Sequence, residues 1–137
     1  MEIIKSCSQE KADYIHRRLQ EYNSRYITDC EDLAYCIENE KGECIAGIVA
    51  SRDLDCITID YLFVDDAYRK NGYGSKLLAY LECQAKHMSA KRIILNTFGF
   101  QAPAFYEKRG YQLFGKIEPC FNEYGQYFFK KELNIER

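Results

Sequence analysis

The chain has 137 residues, of which 47% are apolar and 15% aromatic, and only two are proline. These values are typical of one folded domain that buries roughly two-thirds of its unfolded surface, and they exclude a disordered or fibrous chain. The formal charge of −2 and the scattered basic residues give no general attraction to nucleic acid or to an anionic membrane, so neither is expected as a partner.

The N-terminal stretch and the cysteines indicate the compartment. The segment MEIIKSCSQE carries an acid at position 2 and no long apolar run, so it does not read as a signal peptide, and no segment approaches the length of a bilayer span. We therefore expect a cytoplasmic protein. The seven cysteines form no C-x-x-C pair and only two histidines accompany them, which predicts small buried free thiols and no metal site.

The first predicted helix covers residues 9–24, because Ile15, Leu19 and Tyr22 recur at spacings of four and three. A polar connection that carries three acids follows, and strand-like residues begin near Ala34. The segment AYCIENEKGECIAGIVASRD then predicts two strands joined by a glycine-bearing turn.

The segment CITIDYLFVD predicts a third strand, apolar on both faces except at Thr58 and Asp60, as in a central strand that is covered on both faces. Residues 73–88 predict the clearest helix, because their apolar residues form one continuous stripe. The segment RIILNTF predicts another buried strand, and the order strand, helix, strand is typical of a parallel crossover.

The last elements are a short helix and a hairpin. Residues 103–108 have proline at the start of a predicted helix, and Gly110 lies just past its end. The segments YQLFGKI and QYFFKKEL then predict two paired strands. Together the elements predict one α+β domain with a mixed sheet.

The segment YRKNGYGSKLL places two glycines between the third strand and the strongest helix. Free backbone N–H groups at a helix start attract an anion, glycine lets it approach, and Arg69 and Lys70 add positive charge. A dinucleotide fingerprint would need glycine where the chain has Leu77, and the Gly-Lys-Ser/Thr ending of a nucleotide P-loop is absent. The sequence therefore predicts an anion site of another kind.

The pattern Arg69-x-x-Gly72-x-Gly74 after a buried strand resembles the acetyl-CoA pyrophosphate loop of the GNAT superfamily of N-acetyltransferases. The segment APAFYEKRGY is similar to the later alanine, Phe-Tyr, Lys and Gly-aromatic signature of that family. The resemblance implies one GNAT domain over residues 1–137, with a central mixed, mostly antiparallel sheet of six to seven strands and about four helices. It also implies direct acetyl transfer from acetyl-CoA to a primary amine of a small molecule or peptide, in a ternary complex and without a metal.

The same resemblance implies roles for individual residues. Tyr106, in the Phe-Tyr pair, is the implied acid for the departing thiolate, and its ordinary pKa near 10 suits that task. Ordinary packing of core aromatic rings is the alternative for this residue. The implied acetyl-CoA contacts are Tyr106, main-chain N–H groups of Leu62, Phe63 and Val64, the loop residues Arg69, Lys70, Asn71, Gly72, Tyr73, Gly74 and Ser75, and Gln101, which stands where the family often has asparagine.

The base for the amine is expected to be Asp60. It is expected to share a strand face with Leu62 and Val64, where partial desolvation would raise its pKa. The alternatives are an ion pair or a hydrogen-bonded strand end at Asp60, and a water chain that reaches Tyr61 or a more distant acid.

The acceptor region is expected to be acidic and aromatic, which would suit a cationic amine. Solvated loop acids are the other explanation. The residues concerned are Asp29, Glu31, Asp32, Glu118 and Glu123, with Tyr14, Tyr22, Tyr26 and Tyr124 near them in sequence.

Two further alternatives concern function and assembly. A protein of this fold could bind acyl-CoA as a sensor or scaffold without turning it over. The aromatic last strands are compatible with the edge of a homodimer and equally with tertiary packing.

Overall fold

The computed structural model of the protein describes residues 1–133. No helix in this range is long and apolar enough to cross a membrane. The elements in chain order are α1 (Gln9–Asn23), β1 (Cys30–Glu38), β2 (Cys44–Asp53), β3 (Cys56–Val64), a 3-10 turn (Asp66–Tyr68), α2 (Tyr73–His87), β4 (Arg92–Phe98), a second 3-10 turn (Gly99–Gln101), α3 (Ala104–Glu107), β5 (Gln112–Phe121) and β6 (Tyr124–Glu132).

The strands form a single six-stranded sheet in the order β1-β2-β3-β4-β6-β5. Only β3 and β4 run parallel, and α2 is the crossover that joins them. The predicted α+β fold with a mixed, mostly antiparallel sheet is confirmed. The described residues contain three α-helices rather than about four, because the chain passes from α1 to β1 through residues 24–29 alone.

Strand β1 begins four residues earlier than the sequence predicts. Glu31 pairs with Arg52 and Asp32 with Ser51 in the antiparallel ladder to β2. Two of the three acids that were expected in a polar connection therefore lie in a strand. Pairing with a neighbouring strand outweighs the weak strand preference of acidic residues.

The core lies between α2 and one face of the sheet. The apolar stripe predicted for this helix is buried there, and it packs on strands β1, β2 and β3. Burial of such side chains is worth roughly 1.5–3 kcal/mol each, so this layer holds the domain together. The buried residues of the layer include Leu77, Leu78, Leu81 and Ala85 of α2 and Leu33, Ile48, Ala50, Ile57 and Ile59 of the sheet.

Residues 1–133 leave the opposite face of β1, β2 and β3 exposed, so the expectation that β3 is covered on both faces is wrong. The strand register sets Cys36, Gly47 and Phe63 side by side in one row, and Ala34, Val49 and Tyr61 in the next. We call these six residues the open face. Phe63 is 61% exposed and Tyr61 is 70% exposed.

Helix α1 has the predicted bounds to within one residue, and the Ser8 hydroxyl caps it by accepting a hydrogen bond from Lys11 N–H (3.2 Å). None of its residues is buried. Its apolar stripe of Ile15, Leu19 and Tyr22 faces solvent. The apolar stripe of this amphipathic helix is therefore not buried against any part of residues 1–133.

The expectation of buried cysteines is wrong. All seven are free thiols; Cys56 and Cys120 are half-buried and the other five are exposed. Strand alternation explains the exposure of Cys36, because its neighbour Tyr35 turns toward α2 and packs edge-on against Tyr80 at 4.8 Å.

Candidate active site

Strands β3 and β4 separate after three residue pairs. Their parallel pairing runs from Cys56 and Arg92 to Thr58 and Ile94, whereas β3 stays paired with β2 along its whole length. Residues 59–64 therefore have a strand on one side and an open edge on the other. The backbone N–H and C=O groups on this edge therefore have no partner on a neighbouring strand within residues 1–133.

A β-bulge at Asp60 accompanies the separation. Ala50 pairs with Ile59 and Val49 with Tyr61, so Asp60 has no residue opposite it on β2. A bulge bends its strand and increases the local twist. The second half of β3 thereby turns away from β4.

The backbone N–H groups of Leu62 and Val64 point to the open edge. Asp65 N–H donates to the carbonyl oxygen of Ile45 on the β2 side (2.9 Å), and alternate residues of a strand direct their amides to the same side. The amides between them therefore face away from β2. Arg69 Nε donates to the carbonyl oxygen of Val64 (3.1 Å), which places that oxygen on the open side as well.

The same alternation turns the amide of Phe63 toward β2. Of the three main-chain donors that the resemblance implies, Leu62 and Val64 are therefore the ones whose amides face the open edge.

Helix α2 begins beside the end of this edge. Gly72, its N-cap, has a left-handed φ of 78°, and Lys76 N–H donates to Gly72 O at 3.0 Å in the first helical hydrogen bond. The amides of residues 73–75 therefore have no helical partner. They lie at the positive end of the helix dipole, where an anion is stabilised.

The two glycines of this loop serve different purposes. A Cβ at Gly74 would lie 3.4 Å from the ring of Phe105 and 3.8 Å from a methyl of Val64, so this glycine lets α2 pack closely on α3. A Cβ at Gly72 would meet nothing within 4 Å, and the requirement there is the positive φ.

Replacing Gly72 with alanine should destabilise the fold by about 1 kcal/mol, because an L-residue is strained in the left-handed region. Urea unfolding would measure the loss. Gly115→Ala is the matched control, because this strand glycine has an ordinary φ and its Cβ would be 3.8 Å from Phe128. Equal stability of the two variants would contradict the assignment.

A cleft of about 770 Å³ joins the open edge of β3 to the start of α2 and to α3. Asn71 does not line it, because its side-chain amide donates to the carbonyl oxygens of Tyr68 (2.9 Å) and Arg69 (3.3 Å) and holds the loop. All the other predicted site residues line the cleft: Asp60, Leu62, Phe63, Val64, Arg69, Lys70, Gly72, Tyr73, Gly74, Ser75, Gln101 and Tyr106.

Tyr106 lies on α3 at the inner wall of the cleft. Its ring packs edge-on against Phe105 (5.1 Å) and Tyr111 (5.8 Å), and burial raises its pKa to about 12. No hydrogen bond within residues 1–133 engages its hydroxyl. The group is therefore a protonated donor at neutral pH, and its O–H is available to the cleft.

The raised pKa of Tyr106 has a consequence for stability at alkaline pH. In the unfolded chain this hydroxyl ionises near its ordinary value of 10.0, whereas in the folded protein it keeps its proton up to about 12. Its contribution is therefore complete below pH 10 and is lost as the pH rises through this window. Urea midpoints at about pH 9 and about pH 11 should show the loss, and Tyr106→Phe should make it smaller. If the difference between the two urea midpoints were the same in Tyr106→Phe as in the wild type, the raised pKa of Tyr106 would not explain the loss of stability.

Asp60 lines the cleft, but the expectation of a partly desolvated carboxylate is wrong, because the side chain is exposed. The bulge is the physical reason, since it interrupts the alternation that would have set Asp60 on the face of Leu62 and Val64. The carboxylate remains free to meet a cationic group that enters the cleft.

The two basic residues of the loop are placed differently. Arg69 is tied to the loop itself, because its guanidinium pairs with Asp66 at 3.0 Å in addition to its bond to Val64 O. Lys70 has a left-handed φ of 68° and is exposed at the cleft. Lys70 therefore offers the freer positive charge.

Gln101 caps the end of β4. Its side-chain oxygen accepts hydrogen bonds from Phe98 N–H (2.9 Å) and from the Thr97 hydroxyl (3.2 Å). The amide nitrogen of Gln101 remains for a molecule in the cleft.

Arg109 is a site residue for which the sequence predicted no role. Its Nε and one terminal nitrogen donate to the Ser75 hydroxyl oxygen, the first at 2.8 Å, and its other terminal nitrogen donates to Phe105 O at 2.9 Å. The guanidinium also stacks on the Phe105 ring at 3.8 Å. Since the Ser75 oxygen already accepts from Arg109, its own O–H proton is free to donate into the cleft. The position of Arg109 in the Phe-Tyr signature was the available signal, but its partner is 34 residues away in the chain.

The acids of the first connection are not at the cleft. Arg52 is buried and pairs with Asp29 (3.1 Å) and Glu31 (3.2 Å) at the end of the sheet where β3 begins. The prediction of an acidic rim at the cleft is therefore wrong for Asp29 and Glu31. Their carboxylates instead pair with the buried guanidinium of Arg52, which would be costly to bury without such partners.

The expectation of tyrosines at the acceptor region is wrong for Tyr14, Tyr22 and Tyr26, which lie on or just after α1 and do not line the cleft. Tyr124 does adjoin the cleft, beside phenylalanines that the sequence did not single out.

Phe100 lines the cleft, and its ring packs on Phe98 (5.5 Å) and edge-on against Tyr124 (5.2 Å). Phe121 packs edge-on against Phe98 at 5.1 Å. We call these four residues the aromatic mouth.

Glu118 is engaged within the hairpin. It pairs with Lys116 at 2.9 Å and accepts a hydrogen bond from the Tyr127 hydroxyl at 2.9 Å, and both contacts hold the pKa of its carboxyl below the usual range.

The fold agrees with the comparison to known proteins. Residues 3–111 match the model of the acetyltransferase (GNAT) family, and the chain belongs to this family. An acetyltransferase of Bacillus cereus is 34% identical, and its crystal structure superposes on 96% of this chain and 98% of that one with a TM-score of 0.84.

Two other relatives are named for antibiotics. The blasticidin-S acetyltransferase of Streptomyces morookaense is 35% identical over 57% of this chain, and the match spans 58% of the length of that protein. An aminoglycoside 6'-N-acetyltransferase complexed with coenzyme A is 19% identical and shares the fold, with a TM-score of 0.65 over 91% of this chain and 89% of that one.

Proposed function

We propose that the protein transfers the acetyl group of acetyl-CoA directly to a primary amine in a ternary complex. The observation that carries the proposal is the cleft itself, where the open edge of β3, the free amides of α2 and the hydroxyl of Tyr106 meet. Family membership supports it, as does the coenzyme A in the structure of the aminoglycoside enzyme.

The residues present fit the parts of acetyl-CoA. An extended pantetheine arm carries amides that pair with the edge of β3 as an added strand would, through Leu62 and Val64. The diphosphate is an anion for the amides of residues 73–75, the Ser75 hydroxyl and the Lys70 ammonium. The nitrogen of Gln101 is available to an oxygen of the arm.

The chemistry follows from these positions. The amine nitrogen attacks the thioester carbon, a C–N bond forms and the C–S bond breaks, and the departing sulfur takes the proton of Tyr106. Main-chain amides of β3 donate to the carbonyl oxygen as negative charge develops there. Asp60 accepts the proton of the amine, directly or through water. Positioning of the two reactants supplies the larger share of the reduction in the activation barrier, up to roughly 7–11 kcal/mol in well-oriented systems.

The acceptor that suits the cleft is a small cationic amine. The aromatic mouth offers ring faces for cation–π contact, and the exposed carboxylate of Asp60 attracts a positive charge. The Streptomyces relative is named for acetylating blasticidin-S, and that name is compatible with a small-molecule acceptor.

Two measurements on the purified chain test the proposal. Calorimetry with acetyl-CoA should show binding, and a thiol-release assay across amines, polyamines, aminoglycosides and peptide N-termini should show release with at least one of them. Binding without release across the panel would indicate a sensor or scaffold. Absence of binding would overturn the proposal.

A further inference from the structure

Helix α1 presents a largely exposed apolar surface. Its stripe of Ile15, Leu19 and Tyr22 lies along one side of the helix axis, at spacings of four and three, and Tyr26 follows in the turn after the helix, with its ring 6.0 Å from that of Tyr22. These side chains are 60%, 55%, 52% and 67% exposed. A soluble protein rarely leaves an apolar stripe of this length uncovered.

The second surface is the open face of the sheet. Val49 and Tyr61 are directly paired neighbours at its centre, and they are 40% and 70% exposed. Cys36 and Phe63 are exposed in the adjacent row. A sheet of which one face is apolar normally has that face covered by another layer.

Charge makes the two surfaces complementary. Lys11 and Arg18 follow one side of the α1 stripe at a spacing of seven residues, where Arg18 also pairs with Glu21 at 3.3 Å, and Arg25 lies just past the end of the helix. Asp32 lies on β1 beside Ser51, at the border of the open face, and the exposed Asp60 lies next to Tyr61. A helix that covered this face would bring its basic side toward these acids.

We propose that the occupant of the open face is the α1 helix of a second copy of this chain, and that two copies exchange their first helices about a two-fold axis. Such an interface is self-complementary, because each copy offers one stripe and one open face. A stable interface buries roughly 1,200–2,000 Å² in total, so each of the four surfaces must supply about 300–500 Å². That is the area of two or three aromatic side chains of about 150–250 Å², which both surfaces carry.

The exchange also reaches the cleft. Tyr61 belongs to the open face and lines the cleft as well. A partner helix on the open face therefore borders the side of the cleft where β3 and β4 separate.

Molar mass in solution tests the exchange. Light scattering after size exclusion should give twice the 16.1 kDa of one chain for the wild type at protein concentrations up to about 100 µM. Leu19→Lys in the stripe and Val49→Lys on the open face should each give a folded monomer, checked by circular dichroism. Both positions are exposed in the single copy, so neither change disturbs its core.

The matched control is Gln20→Lys, one residue further along α1 and on the side away from the stripe, which should leave the dimer intact. A wild type that stays monomeric over the whole concentration range would overturn the proposal. Dimers that persist in both Leu19→Lys and Val49→Lys would overturn it as well, because the interface would then lie elsewhere.

Discussion

Replacing Tyr106 with phenylalanine is expected to lower turnover by a factor of about 10² to 10⁴, with the affinity for acetyl-CoA nearly unchanged. The change removes one oxygen from a buried ring, and no hydrogen bond within residues 1–133 depends on it. The ring keeps its contacts with Phe105, Tyr111 and Phe129. The variant lacks only the hydroxyl that is proposed to give its proton to the departing sulfur. Thiol release under saturating acetyl-CoA and calorimetry of the variant would measure the two effects separately.

Tyr111→Phe is the matched control for Tyr106→Phe. Tyr111 is equally buried, but its hydroxyl donates to Glu82 at 2.8 Å, on the side away from the cleft. Lys131 donates to the same carboxylate at 3.1 Å, and burial beside this carboxylate raises the pKa of Tyr111. The control should therefore lose stability and keep its turnover. Wild-type turnover in Tyr106→Phe would remove Tyr106 from the mechanism.

Arg109→Met is expected to destabilise the protein by about 3 kcal/mol and to weaken acetyl-CoA binding ten- to a hundredfold. The guanidinium donates to Ser75 and to Phe105 O and stacks on the Phe105 ring, so it fastens α3 to the start of α2. Methionine fills part of the space but donates no hydrogen bond. The amides of α2 and the hydroxyl of Ser75 would then be held less firmly for the diphosphate. Urea unfolding and calorimetry with acetyl-CoA measure the two losses.

Lys108→Met is the control for this variant, because it removes a positive charge from the preceding, exposed residue. It should change neither stability nor affinity appreciably. An equal loss of affinity in both variants would show that general charge, and not the contact with Ser75, explains the effect. An unchanged affinity in Arg109→Met would show that the start of α2 is held without it.

Together these contacts make α3 part of the proposed binding site as well as the carrier of Tyr106. Phe105 packs against the bare Cα of Gly74, and Arg109 reaches Ser75 in the same turn of α2. A change in α3 should therefore alter both the proposed diphosphate site and the position of the proposed acid, Tyr106. The two sites are coupled because one short helix holds both.

The sequence alone was sufficient for the elements whose signals are local. The stripe of α2, the turn before it and the Phe-Tyr signature are patterns within a few residues of each other, and the structure has them where they were predicted. The residues expected to meet acetyl-CoA line one cleft, apart from Asn71. Those of residues 62–75 are close together because they follow one strand end and one helix start, whereas Gln101 and Tyr106 are brought there by the fold.

Tertiary structure decided what depends on contacts between distant residues. The bulge at Asp60 exists because β2 and β3 pair in two registers, and Arg52 draws Asp29 and Glu31 away from the cleft because a buried charge must be paired. The periodic pattern of α1 identifies the side of the helix that is apolar. It does not identify the surface that buries this side, because that surface comes from residues distant in sequence or from another molecule.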